Sequence, residues 1–165
     1  MKRLILMRHA KSDWSGGALA DIERGLNARG ERSATAMGDW LRAKALAPDQ
    51  VLCSTATRTR ETLARLGLER DIPVTHSRSL YLASAEVMLK ALRAQQAACV
   101  MILAHNPGCA VLAELLVHVA PEHRDFDSYP TCATLVVDFD IQNWNDLPLG
   151  QGQVVHFIVP RDLTD

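Results

Sequence analysis

Apolar residues along this chain fall into two kinds of pattern. Short continuous runs, such as Leu4-Ile-Leu-Met7 and Val100-Met-Ile-Leu-Ala104, read as strands buried on both faces. Such runs place strands at roughly 3–7, 50–54, 72–76, 98–104, 132–139 and 153–159. Longer segments carry apolar residues at helical spacing, at roughly 28–45, 57–67, 84–95 and 108–119. In the first of these Ala34, Met37, Leu41 and Ala45 share a face, and in the last Val111, Leu112, Leu115, Leu116 and Val119 do. Strand–helix alternation predicts an α/β fold, a three-layer α/β/α sandwich around a mostly parallel central sheet of about six strands. The final two strands have no helix between them. The turn-rich stretch from Gln142 to Gly152 predicts a hairpin connection there. Residues 1–165 suit one domain, with no internal repeat, low-complexity tract or linker.

Two of the apolar runs stop abruptly at a histidine: Leu4-Ile-Leu-Met-Arg-His-Ala10 and Met101-Ile-Leu-Ala-His-Asn-Pro-Gly108. In parallel sheets ligands bind beyond the carboxyl ends of the strands, which is where Arg8, His9 and His105 would project. Between them lies Gln50-Val-Leu-Cys-Ser-Thr-Ala-Thr-Arg-Thr-Arg-Glu-Thr62, a short strand, a Ser/Thr turn and a helix start carrying Arg58. Free N–H groups and the macrodipole make a helix N-terminus attractive to anions, and an arginine there strengthens the preference. Together the three segments point to an anion site, with a phosphoryl group as the natural occupant.

The formal net charge of −1 gives no global basic footprint, so neither nucleic acid nor an acidic membrane is expected as a partner. The apolar start of the chain is too short for a signal peptide or membrane span, which predicts a cytoplasmic protein. Cys53, Cys99, Cys109 and Cys132 show no Cys-x-x-Cys pairing and read as buried reduced thiols, Cys53 being the one that would oxidise if exposed. The six histidines are scattered, with no metal-ligand cluster, so no metal and no cofactor are expected.

Arg8-His9 after a first strand, Ser54-x-x-x-Arg58 with Thr62 behind it, and His105 after a later strand resemble the histidine phosphatase superfamily, which has the phosphoglycerate-mutase-like fold. The short length, the Arg-His-Ala-Lys-Ser opening and the Asp21-x-x-Arg24-x-Leu26 segment resemble its small SixA-type branch, over essentially the whole chain. The resemblance implies a metal-independent phosphatase in which His9 is the nucleophile that becomes phosphorylated. Arg8, Arg58 and His105 would close around the phosphoryl oxygens, His105 as a cation. Arginine suits that task because its planar fork stays protonated and donates two hydrogen bonds at once.

Weaker candidates surround this set. Arg24 would reach the phosphate or brace Asp21 and Glu23 at the surface. Lys11 and Ser12 would offer donors to the anion or belong to an exposed loop. Trp14 would shape the mouth of the site or cap the core. The sequence supplies no clear general acid: Glu86 is the candidate after the third strand, at the first turn of a helix capped by Ser84, with Asp13 as a substitute. Ala10 stands where the superfamily commonly has glycine, Thr55 where it has proline and Glu61 where it has glutamine. The chain also has no room for the lid insertion of larger relatives. These absences favour phosphohistidine on a protein as substrate, because a protonated phosphoramidate needs little acid assistance. The alternatives are a phosphomonoesterase for a small phosphorylated metabolite and a noncatalytic phosphate-binding module.

Overall fold

The structure is a computed structural model that describes residues 1–164. Its elements run β1 (Lys2–Arg8), α1 (Ala28–Ala43), β2 (Gln50–Ser54), α2 (Thr57–Leu66), β3 (Val74–Ser77), α3 (Ala85–Arg93), β4 (Cys99–Ala104), α4 (Gly108–Leu116), β5 (Thr134–Phe139), β6 (Gln153–Ile158) and α5 (Pro160–Leu163). Short 3₁₀ turns occupy Asp21–Glu23, Arg78–Leu80 and Trp144–Asp146. The six strands form one sheet in the order β3-β2-β4-β1-β5-β6. The neighbours β3, β2, β4 and β1 are parallel, whereas β5 runs antiparallel to both β1 and β6. The expected three-layer α/β architecture, the mostly parallel sheet and the closing hairpin are all present.

Period-two alternation divides the apolar strands between two cores. Leu4 and Leu6 of β1, Val100 and Ile102 of β4, and Leu135 and Val137 of β5 pack with Met88 and Leu92 of α3 and Leu112 and Leu116 of α4. Ile5, Met7, Val51, Met101, Leu103 and Val136 pack on the other face with Met37 and Leu41 of α1 and Leu66 of α2. With both faces covered, β1 and β4 must be apolar throughout, which is why their runs are so legible. Local signals set the helix ends. The Asn27 side chain accepts from Gly30 N–H at 2.8 Å to start α1, and the Ser84 hydroxyl accepts from Val87 N–H at 3.3 Å to start α3. Gly67, left-handed at φ 65°, ends α2.

Two expectations about helices need correction. Ala45 lies beyond the end of α1, left-handed at φ 56°, and is exposed rather than part of the buried face. The buried face of α4 is Cys109, Leu112, Ala113 and Leu116, while Val111, Leu115 and Val119 are 45%, 41% and 70% exposed. Val111 and Leu115 lie on the outer face of α4, away from Leu112 and Leu116, and Val119 lies beyond the helix because of an early stop. The carbonyls of Leu115 and Leu116 accept from Gly150 N–H and Gly152 N–H, so the β5–β6 connection satisfies them in place of another helical turn.

Helix α1 packs tightly against the end of α2 at Gly38, where a Cβ would sit 2.1 Å from the Leu66 carbonyl oxygen. Gly38→Ala gains helix propensity but forces this contact apart, and it is expected to lose roughly 1–3 kcal/mol in urea unfolding. Unchanged stability would show that the two helices separate without cost.

Candidate active site

The register between β1 and β4 builds the floor of the site. Arg8, the last residue of β1, lies opposite Ala104, the last residue of β4, so the residues that follow each strand emerge side by side. The backbone of His9 is held on both sides, its N–H donating to the Ala104 carbonyl and its carbonyl accepting from Cys132 N–H. The two buried imidazoles, His9 and His105, stand with ring centroids 5.3 Å apart. The third strand end, Ser54 of β2, places its hydroxyl 2.8 Å from His105 Nε2. Helix α2 is tied to the His9 loop through Thr62, whose hydroxyl donates to the Arg58 carbonyl at 2.7 Å and accepts from Ala10 N–H at 2.9 Å. Ala10 keeps a negative φ, so alanine there carries no backbone strain.

His9 Nδ1 lies 2.7 Å from the carbonyl oxygen of Ala10. A carbonyl only accepts, so Nδ1 carries the proton and Nε2 keeps the lone pair. Burial, above all, and then the cations Arg8 and Arg58 push the His9 imidazolium pKa down to about 3. Burial and Arg58 push His105 down to about 4. Both rings are therefore neutral near pH 7 in the free protein. The cationic His105 that the resemblance implies is not its resting state.

Three arginines surround these rings. Arg8 Nη1 donates to the Tyr129 carbonyl at 3.2 Å. Arg58, buried in the first turn of α2, donates to the Asp21 carbonyl at 2.7 Å and to Asp21 Oδ2 at 3.0 Å. Arg24 donates to Asp21 Oδ1 at 2.9 Å and to the Ser12 hydroxyl, and its guanidinium lies 3.5 Å over the Trp14 ring. Asp21 also accepts from the Tyr81 hydroxyl. The Tyr81 contact, with Arg24 and Arg58, holds the Asp21 carboxyl well below the usual carboxylate range. The Nε–H groups of Arg8, Arg24 and Arg58 and Nδ1 of His105 are buried without a protein partner. The arginine and imidazole side chains surround one space and suit a ligand that is rich in acceptors.

That space is a cavity of about 600 Å³ bounded by Arg8, His9, Arg24, Arg58 and His105, with Lys11, Ser12, Trp14, Asp21, Leu82, Asn106, Pro130 and Thr131 completing its wall. The four principal residues of the sequence reading are thus together. Arg24 takes both of its expected positions, lining the cavity and bracing Asp21. Ser12 is buried, with its hydroxyl occupied by Arg24, and Lys11 is exposed at the edge. Trp14 is 77% exposed and caps no core. Arg60 is exposed, as expected of a solvated face.

Glu86 is not brought to the cavity. It is exposed on the first turn of α3, beside a separate depression lined by Leu89, Lys90 and Arg93. Asp13 is half-buried, and its carboxylate accepts from the hydroxyl and N–H of Ser15, which lowers its pKa. Cys53 is fully buried, and burial pushes its thiol up to about 12, which removes the oxidation expected of an exposed thiol there. Among the described residues no three His, Cys, Asp or Glu side chains gather as a metal site. Among the described residues no helix is long and apolar enough to cross a membrane. Sequence reasoning missed Asp21 as the hub of the arginines, although its i,i+3 spacing to Arg24 was visible. Tyr81 carried no signal at all.

The fold and this pocket define a three-layer α/β protein with an arginine- and histidine-lined anion site at the carboxyl end of a mostly parallel sheet. Residues 4–81, which include Arg8, His9 and Arg58, match the model of the histidine phosphatase superfamily (branch 1). The chain is 36% identical over 162 residues to the uncharacterized protein Rv1276c of Mycobacterium tuberculosis, covering 94% of this chain and 100% of that one. The structure of a proposed phosphohistidine phosphatase SixA from Nakamurella multipartitia is 31% identical, covers 96% of both chains and superposes with a TM-score of 0.78. A second proposed SixA, from Agrobacterium tumefaciens, is 28% identical with a TM-score of 0.79, over 96% of this chain and 98% of that one. The chain belongs to the histidine phosphatase superfamily, in its SixA-type branch, and is a phosphatase.

The two depressed imidazole pKa values fix a pH dependence. An unfolded histidine takes up its proton near pH 6.5, whereas the folded His9 and His105 wait until about 3 and about 4. Between those limits the unfolded state binds more protons, so stability falls as pH drops from about 6.5 towards 4. NMR of the free protein is expected to show no titration of either ring between about pH 5.5 and 8. A midpoint near 6.5 for either ring would contradict the neutral pair.

Proposed function

We propose that this single-domain, cytoplasmic, metal-independent phosphatase works through a phosphohistidine formed on His9 and takes its phosphoryl group from phosphohistidine on another protein. The observation that carries the reading is the tautomer of His9. With Nδ1 engaged by the Ala10 carbonyl, Nε2 is the nitrogen left with a lone pair, in a ring that lines a cavity walled by three arginines. A neutral imidazole is already nucleophilic, so no base has to activate it.

In the first step the Nε2 lone pair forms a bond to phosphorus while the P–N bond to the substrate's imidazole breaks. The bonding pair stays with that imidazole, which was protonated on its remote nitrogen and so departs neutral. In the second step water bonds to phosphorus, the P–Nε2 bond breaks and its pair returns to His9. Both protons of the water leave with the phosphate as dihydrogen phosphate. Arg8, Arg58 and His105 meet the equatorial oxygens, where transition-state charge is spread, with Arg24, Lys11 and Ser12 supporting from the edge. No step requires a proton donor from the protein.

That last feature supports phosphohistidine over an alkyl phosphate. An alkoxide leaving group needs an acid poised near neutrality. Asp21, the carboxyl in the cavity wall, is held ionised by Tyr81, Arg24 and Arg58, Asp13 is also shifted down, and Glu86 lies elsewhere. The proposed activities of the two SixA relatives agree with this choice. The metabolite phosphomonoesterase would need a proton source that these positions do not offer.

The test compares wild type with His9→Ala on a phosphohistidine protein and on an aryl phosphate. Wild type is expected to release phosphate from phosphohistidine, and the variant to lose at least about a thousandfold of that rate. Rapid acid-free quenching should trap phosphate on His9 in wild type alone. Cleavage of the aryl ester without turnover of phosphohistidine would move the assignment to a metabolite phosphatase.

A further inference from the structure

Trp14 is the residue of the cavity wall that the phosphoryl chemistry leaves unused. It is an indole 77% exposed to solvent, in a chain where Trp144 is fully buried. It also borders the same cavity as His9 and Arg24. One face of the ring is taken, because the Arg24 guanidinium lies 3.5 Å from its centroid. A ring held from one side and still that exposed has its opposite face open. Arg24 is itself held by Asp21 and the Ser12 hydroxyl, so the indole rests on an anchored support.

An exposed large aromatic side chain at a cavity mouth is a contact awaiting a flat or cationic partner. The phosphoryl group is drawn inward to the arginines and imidazoles, so whatever carries it must lie outward, at the rim. For the activity proposed above, the carrier is an imidazole ring that is cationic in its reactive form. We propose that the open face of Trp14 is a leaving-group subsite, a platform on which the protonated imidazole of phosphohistidine stacks while its phosphoryl group reaches His9. The proposal rests on that reading and deepens it by naming what recognises the nitrogen side of the scissile P–N bond.

The chemistry gives this contact a distinctive signature. The substrate ring is a cation when it binds and neutral once the P–N bond has broken, so stacking on the indole favours the bound substrate more than the departing ring. Its loss therefore raises KM and leaves kcat unchanged or higher, never lower. A purely structural role for Trp14, steadying Arg24, would instead impair every phosphoryl donor alike.

The experiment measures phosphate release from a phosphohistidine protein and from phosphoramidate, which carries the same P–N bond without a ring, by wild type, Trp14→Ala and Trp14→Phe. Wild-type turnover of phosphohistidine is read first, and its absence would defeat the proposed activity before the platform is at issue. Given that turnover, Trp14→Ala is expected to raise KM for phosphohistidine roughly three- to thirtyfold, the span of one cation–π contact. The preference for phosphohistidine over phosphoramidate should fall by the same factor, and Trp14→Phe should keep most of it. An equal loss on both donors, or a preference unchanged in Trp14→Ala, would overturn the platform while leaving the phosphatase assignment intact.

Discussion

Asp21 is the one carboxylate set against three guanidinium groups at the end of the sheet, and the architecture of the site hangs on it. Arg24 and Arg58 both donate to it, one to each oxygen, and Tyr81 donates as well. Like charges buried together oppose folding unless an opposite charge with good hydrogen-bond geometry meets them. The effect of their crowding is visible at Arg8, whose pKa is lowered by burial and by Arg58. Asp21 belongs to a short 3₁₀ turn that packs against no core of its own, having no buried residue. The ion pairs therefore bring this loop over the strand ends, and with it come Arg24, the buried Ser12 hydroxyl and the indole of Trp14. Loss of the carboxylate would release the wall of the cavity as well as one charge.

The same arginines act on the two histidines in the opposite sense. A cationic surrounding that attracts a phosphoryl dianion also penalises an imidazolium, and burial adds to that penalty. His9 is thus kept neutral, the form its proposed role as nucleophile requires, by the field that would bind its target. For His105 the field changes when an anion arrives, because negative charge among the arginines offsets their effect on the ring. The neutral resting state and the cationic role proposed during transfer would be two conditions of one electrostatic balance.

What the sequence made legible follows from where burial is two-sided. β1 and β4 are covered on both faces, so their apolar runs and the polar residues that end them stand out, and Arg8, His9 and His105 came with them. Arg58 was marked by its helix start and by Thr62, a local relation that the hydrogen bond to Ala10 N–H completes. The failures lie where tertiary contact replaces a local rule. Val119 continues the helical spacing, yet α4 stops at Leu116 because a distant connection, Gly150–Gly152, supplies the donors that its last carbonyls need. Asp21 and Tyr81 meet across 60 positions of sequence through a single hydrogen bond between exposed side chains, and no periodicity reports such a contact. In the sequence Trp14 is open between the mouth of the site and the core, and only the fold, which leaves it exposed on the cavity wall, decides for the mouth.

One hydrogen bond links nucleophile, intermediate and missing acid. The Ala10 carbonyl holds the proton on His9 Nδ1. Before transfer, that fixes the lone pair on Nε2. In the proposed transfer the same proton remains on the ring, so phospho-His9 would be the imidazolium form of a phosphoramidate, whose ring leaves neutral when water attacks. A substrate that is itself phosphohistidine presents the mirror image of this state, a protonated ring departing neutral in the first half-reaction. The two half-reactions then have the same charge bookkeeping, and neither draws a proton from the protein. A site with ionised carboxylates and no acid near neutrality is incomplete for an alkyl ester, but it is sufficient for moving a phosphoryl group between imidazoles and then to water.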